Sequence, residues 1–157
     1  MKKLLRILLL LGVGATLCKG CNNIGNNELM ATYPEDVDMS NFSLDGTVCS
    51  WNWQYLEEDT VYVINSSEKL LNYISCQKNE VPIIDFNKYS LLLTYGGTTS
   101  GVHKIDRNLQ QTSINKFKLV VDITLEMTTV AQGWALSVLV PKIPNSAIIQ
   151  LDVIQHH

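Results

Sequence analysis

Few residues in this sequence have the type and spacing to do chemistry. The histidines are His103, His156 and His157. His103 stands beside Lys104 on the polar side of an alternating stretch, where a solvated strand residue is the expected role. His156-His157 reads as a frayed end. A zinc hydrolase helix needs His-Glu-x-x-His, a serine acyl-transfer site needs Gly-x-Ser-x-Gly, and a phosphate site needs a glycine-rich loop opening a helix; none of these patterns occurs. Glu57-Glu58-Asp59 is an acidic cluster. Glycoside hydrolysis would need two carboxylates facing each other across a cleft, and a surface turn accounts for three consecutive acids. The four cysteines are Cys18, Cys21, Cys49 and Cys76. A cysteine nucleophile needs a thiolate beside a histidine, whereas Cys49 and Cys76 are better used on each other. The chain is therefore read as a non-enzyme, with no catalytic residue, no cofactor and no metal site.

What remains is contact chemistry. Gly96-Gly97-Thr98-Thr99-Ser100-Gly101 joins a buried strand to the next one. Glycines there would free the backbone for positive φ and for close approach by another chain, and the hydroxyls offer small polar contacts. The alternative reading is a flexible hairpin. A second connection, Thr128 to Trp134, places Gly133 beside Trp134. In a meander, alternate connections can lie at one end of the sheet. An exposed Trp134 next to the glycine-rich loop would then form a contact patch for a protein partner; core packing is the other role open to Trp134. The leading expectation is a protein-binding module. One alternative is a glycan or small-ligand binder that stacks rings on Trp51, Trp53 and Trp134, and another is a structural envelope subunit.

The elements that must carry these residues begin after an export signal. Lys2, Lys3 and Arg6 precede Ile7 to Leu17, an apolar run of 11 residues. That run is too short for a bilayer core, which needs about 20 helical residues, and it has the size of a signal-peptide core. Gly20-Cys21 resembles the cleavage site of bacterial lipoproteins, in which the cysteine becomes the lipidated amino end. Cys18 is the other candidate, but it follows the bulky Leu17. Cleavage before Cys21 would remove Lys2, Lys3, Arg6 and Lys19 and no acid, which leaves 8 bases against 15 acids, a charge of −7. Such a domain has neither the basic excess that nucleic-acid binding requires nor an attraction to anionic lipid. Membrane attachment would come through the lipid anchor alone.

The sequence divides into a signal peptide (1–20), a tether and irregular segment (21–46) and a single β-rich domain (47–157). Cys49 and Cys76 are an even pair in an exported domain, so a disulfide is expected. It would close a loop of about 27 residues, worth roughly 3 to 4 kcal/mol in the chain-entropy model; two buried thiols are the alternative. Cys49, Trp51, Trp53 and Tyr55 alternate as one face of a half-buried strand, and Val61 to Ile64 follows as a short strand. Ser66, Ser67 and Glu68 look like a helix start, with Leu70, Leu71 and Ile74 on its apolar stripe and an end near Cys76. Then come strands at Tyr89–Tyr95, central because its leucines are consecutive, at Val102–Asp106, at Lys116–Leu125, at Trp134–Val140 and around Ile149–Val153. Short links predict largely antiparallel pairing. The fold class is mainly β (α+β): a compact antiparallel β sandwich or partly open barrel with one helix.

The stretch 83–155 resembles the C-terminal domain family of the protease-complex subunit PrcB. The residues that carry the resemblance are Asp85, Phe86 and Lys88, the 96–101 loop, and Val140-Pro141-Lys142. Members often close the loop with Gly-Gly-Tyr, where this chain has Ser100-Gly101-Val102. The chain is also similar to small lipoproteins of Bacteroides-type bacteria, some of which inhibit cysteine proteases. Thr98-Thr99-Ser100-Gly101 resembles the wedge of chagasin-type inhibitors. These resemblances imply a protease inhibitor or protease-associated subunit, with a cysteine protease as partner. They also imply an O-glycosylation site at Thr60 within Asp59-Thr60-Val61. Lipoproteins of this type that reach the surface carry acids just after the lipidated cysteine. Asn22-Asn23 lacks them, which implies the periplasmic side of the outer membrane.

Overall fold

Strand alternation dominates the second half of the chain, and it produces the long strands of the fold. The computed structural model describes residues 32–76 and 80–157. In chain order the elements are β1 (Glu35–Asp36), β2 (Ser40–Asn41), β3 (Ser50–Trp51), a 3-10 turn (Trp53–Tyr55), β4 (Tyr62–Ile64), α1 (Ser67–Leu70), β5 (Ile74–Ser75), β6 (Tyr89–Thr98), β7 (Val102–Ser113), β8 (Lys116–Leu125), β9 (Gln132–Pro141) and β10 (Ile148–His156). The first sheet has the order β1-β7-β8-β10, the second β2-β9-β6-β4, and β3 pairs β5 in a small ribbon. The expected signal peptide, the lipidated Cys21 and the tether up to Ala31 lie outside the described residues.

The two sheets share one core. β8 alternates as its sequence does: Phe117, Leu119, Val121, Ile123 and Leu125 are buried between half-exposed neighbours. They meet Leu92 of β6 and Trp134, Leu136, Val138 and Val140 of β9. This is the mainly β, two-sheet architecture expected, and its sheets do not close into a barrel. One pairing departs from expectation. β10 lies parallel to β8, from Ile148↔Lys116 to His156↔Thr124, while the other ladders are antiparallel. The chain leaves the first sheet after β8 to lay β9 beside β6, and it returns in the direction of β8. Alternation fixes which face a residue takes and says nothing of its neighbour's direction.

β6 is central in the second sheet, as its consecutive leucines require. Leu92 faces the shared core, while Leu91 and Leu93 face a second core on the opposite side. That side is covered by the segment from Phe42 to Phe86, which supplies Leu44, Leu56, Ile64, Leu70, Ile74 and Ile84. The disulfide Cys49–Cys76 is present, with the two Cα atoms 4.5 Å apart. It closes the β3–β5 ribbon, and α1, expected to run to near Cys76, is shorter. Ser66 caps it, its hydroxyl accepting from the Lys69 amide at 3.1 Å. The helix then stops at Leu70, so that Ile74 and Ser75 can pair with Trp51 and Ser50. The expected strand through Trp53 and Tyr55 also ends early, in the 3-10 turn. The segment assigned to the tether contributes from Glu35 onward: β1 pairs with β7, β2 with β9, and Leu44 is buried.

Candidate functional site

One end of the sandwich gathers four strand ends. Thr98↔Gln132 places the end of β6 beside the start of β9, and Val102↔Leu125 places the start of β7 beside the end of β8. The β6–β7 turn (99–101) and the β8–β9 connection (126–131) therefore lie side by side. Backbone and side-chain bonds tie them. The Glu126 amide donates to the Gly101 carbonyl at 2.8 Å. The Gly101 amide donates to the Thr128 hydroxyl at 2.9 Å, and the Val102 amide to the Gln132 side-chain carbonyl at 2.9 Å. The Thr98 hydroxyl lies 2.6 Å from the Ser100 carbonyl and 2.9 Å from that of Gln132. A Cβ on Gly101 would sit 2.7 Å from Glu126 Oε2 and 2.9 Å from Thr128 Oγ1, so a side chain there would displace the Glu126 carboxylate and crowd the bonded Thr128 hydroxyl.

The tip differs from the expected patch in which residues it offers. Gly96, Gly97 and Thr98 are strand residues of β6, and the turn proper is Thr99-Ser100-Gly101. Thr98 and Ser100 are each only 7% exposed, and Gly96 and Gly101 are buried; Gly97 and Thr99 alone face solvent. Among the described glycines only Gly46 has a positive φ, so close packing rather than backbone handedness explains Gly96 and Gly101. Trp134 is 4% exposed and belongs to the shared core, which removes it from any contact patch and from a sugar-stacking trio. The cause is its cross-strand partner. An added Cβ at Gly96 would fall 2.8 Å from the Trp134 ring and 2.6 Å from Asp59 Oδ1. The absent side chain makes the space into which the indole folds. The protruding groups are instead Met127, 96% exposed, and Val130, 70% exposed. Sequence reasoning passed over both. The available signal was a pair of large apolar residues in a threonine-rich connection that has no alternation.

A groove lies beside the tip. Trp53, Tyr95, Gly133, Trp134 and Ala135 line a cavity of about 290 Å³. The rings of Trp53 and Tyr95 are 5.7 Å apart, centroid to centroid. Behind Trp53 the aromatic chain continues through Trp51 to Phe42 within the cap. The Tyr95 hydroxyl donates to the Leu56 carbonyl at 2.9 Å, and the Tyr95 carbonyl accepts from the Asp59 amide at 2.9 Å. Burial holds the Tyr95 phenol above its ordinary pKa, and the negative charge of Glu58, the neighbouring Tyr62 and Glu57 add to the rise. The turn that carries the acid cluster is thus bonded to Tyr95 through Leu56 on one side and Asp59 on the other. It follows the 3-10 turn and bends through Asp59, whose φ is +55°. Thr60 comes next, half-buried, its hydroxyl 3.4 Å from the Glu58 carbonyl.

The histidines do not converge. His103 is exposed, and His156 Nδ1 lies 3.0 Å from Asp122 Oδ1 on the outer face of the first sheet. Among the described residues no group of three His, Cys, Asp or Glu side chains is placed to hold a metal ion, and no helix is long and apolar enough to cross a membrane. Comparison with protein-family models, with curated proteins and with solved structures finds no match for the chain.

Proposed function

We propose that the chain is a protein-binding module of the cell envelope, held there by a lipid at Cys21, that acts as a steric inhibitor or accessory subunit of a cysteine protease. What supports the reading is the tip. Two connections from different strand pairs are bonded to each other, and from that support Met127 and Val130 project into solvent. A braced loop loses little conformational freedom on binding, so more of the contact energy survives as affinity. Exposed apolar residues at the end of a rigid body are the kind of anchor that carries an interface. The protease as partner comes from the resemblance to protease-complex subunits and wedge-type inhibitors. O-glycosylation at Thr60 belongs to the same reading.

The test is inhibition of papain-fold cysteine proteases by the intact protein and by two variants. Met127→Asp with Val130→Asp weakens inhibition at least about tenfold, the scale of losing interface anchors, and leaves the thermal melt in place. Gly97→Trp with Thr99→Trp blocks the approach at the two exposed positions of the neighbouring strand end and turn, and Gly97 has open space for a side chain. If both variants inhibit as the parent does, the tip is not the contact surface; if the parent inhibits none of the proteases, the partner class is wrong.

A further inference from the structure

The groove beside the tip has a chemistry of its own. It is lined by the rings of Trp53, Tyr95 and the largely buried Trp134, with the small residues Gly133 and Ala135 between. Glu57, Glu58 and Asp59 form the turn above Tyr95, tied to it by the Asp59 amide and through Leu56. Among the described residues no lysine, arginine or histidine pairs with these three acids. A cleft with aromatic faces, beside a turn on which Glu57 and Glu58 are exposed, favours a cation with a flat, weakly hydrated surface. A guanidinium stacks on an indole or phenol and donates in its own plane to carboxylates. An ammonium could take the charge but not the stack, and a neutral ring could take the stack but not the charge. Gly133 also links groove and tip, because it follows the exposed 126–132 stretch directly and pairs with Gly97. A partner seated on the tip would reach the groove without a break in the surface.

We infer that the Trp53–Tyr95 groove, with Glu57 and Glu58 at its edge, receives an arginine side chain of the partner protein. The inference rests on reading the tip as a protein-binding surface, and it adds the partner's chemistry.

The experiment titrates the full-length protein with a blocked Gly-Arg-Gly peptide and with its citrulline counterpart, which keeps the shape and lacks the charge. The readout is the indole N–H resonance of Trp53, identified through Trp53→Phe. The arginine peptide shifts this resonance saturably, and the citrulline peptide binds about fivefold more weakly or less, the range of an exposed cation–π contact. Glu57→Gln with Glu58→Gln reduces the difference between the two peptides and leaves the fold intact, which covers the case in which a Trp53 variant unfolds. Met127→Asp with Val130→Asp keeps the arginine response, so failure of the tip and failure of the groove are read separately. Equal binding of arginine and citrulline, an equal shift by a neutral oligosaccharide, or no saturable shift overturns the inference.

Discussion

The two faces of the second sheet are covered in opposite ways. Towards the first sheet, β6 and β9 present Leu92, Leu136, Val138 and Val140 to the aliphatic rows of β8. Each residue there has a register partner, and the ladders run for up to ten residue pairs. On the other face, Leu91, Leu93 and Tyr95 meet a cap with a ribbon of two-residue strands, a four-residue helix, a row of aromatic rings and a disulfide. The sandwich specifies itself through repetition, because a one-residue slip would turn every apolar side chain outward. The cap has no repeat to slip. It is held by a covalent link and by large rings that fill irregular space. The groove lies at the seam between these two kinds of order, with Trp53 from the cap and Tyr95, Gly133 and Ala135 from the sheet.

The comparison breaks most severely at Val138, which is fully buried between the sheets. Val138→Asp strands a carboxylate in an apolar interior, and its loss of several kcal/mol removes sandwich and cap together. Far-ultraviolet dichroism and tryptophan fluorescence should collapse in one urea transition at a far lower midpoint. Survival of native fluorescence would show that the cap folds without its sheet. The next effect is that of the bridge. Cys49→Ala with Cys76→Ala lowers stability by roughly 3 to 4 kcal/mol, the chain-entropy value for its loop. Amide exchange should rise first between residues 42 and 76 and leave β6 to β9 protected; a uniform rise would contradict the division into a repetitive body and a stapled cap.

The smallest effect sharpens the seam. Tyr95 has a raised phenol pKa, so above about pH 10 the unfolded chain gives up this proton before the folded one does. The contribution of Tyr95 to stability is therefore complete below that pH and is lost as pH climbs through its own elevated value. Tyrosinate absorbance should show two late-titrating tyrosines, Tyr73 and Tyr95, of which Tyr95→Phe removes one. Glu57→Gln with Glu58→Gln should bring the Tyr95 transition only part of the way back, because burial is the larger cause.

Legibility in the sequence followed the same division. β8, β9 and the middle of β10 could be read because a two-residue period suits a half-buried strand and no helix; β6 was read from its consecutive leucines, and β7, which runs Val102–Ser113, was read only as far as Asp106. β8 has the bounds its pattern implies, and the bridge followed from cysteine parity. The Cys49-Trp51-Trp53-Tyr55 alternation misled, since aromatic residues at every second position also suit a strand that ends after Trp51 and turns. β1 and β2 are too short to have a period, and their partners lie far along the chain. At the site, the meeting of the two connections followed from strand reversal. The exposure of single residues did not, because Gly96 and Trp134 are understood only as a pair across the ladder. Nor could Tyr95 be placed in a groove while its partner Trp53 was assigned to a regular strand.

The earliest described strands have their partners far along the chain: Ser40 and Asn41 pair with Leu139 and Val138, and Glu35 with Gln111. Contacts of such sequence separation must be closed before they repay the entropy of the intervening loop. The edge strands β1 and β2 therefore join their sheets late on the way to the native state. Search time, more than final stability, sets how quickly this chain becomes competent, on the millisecond-to-second scale of non-local β topologies.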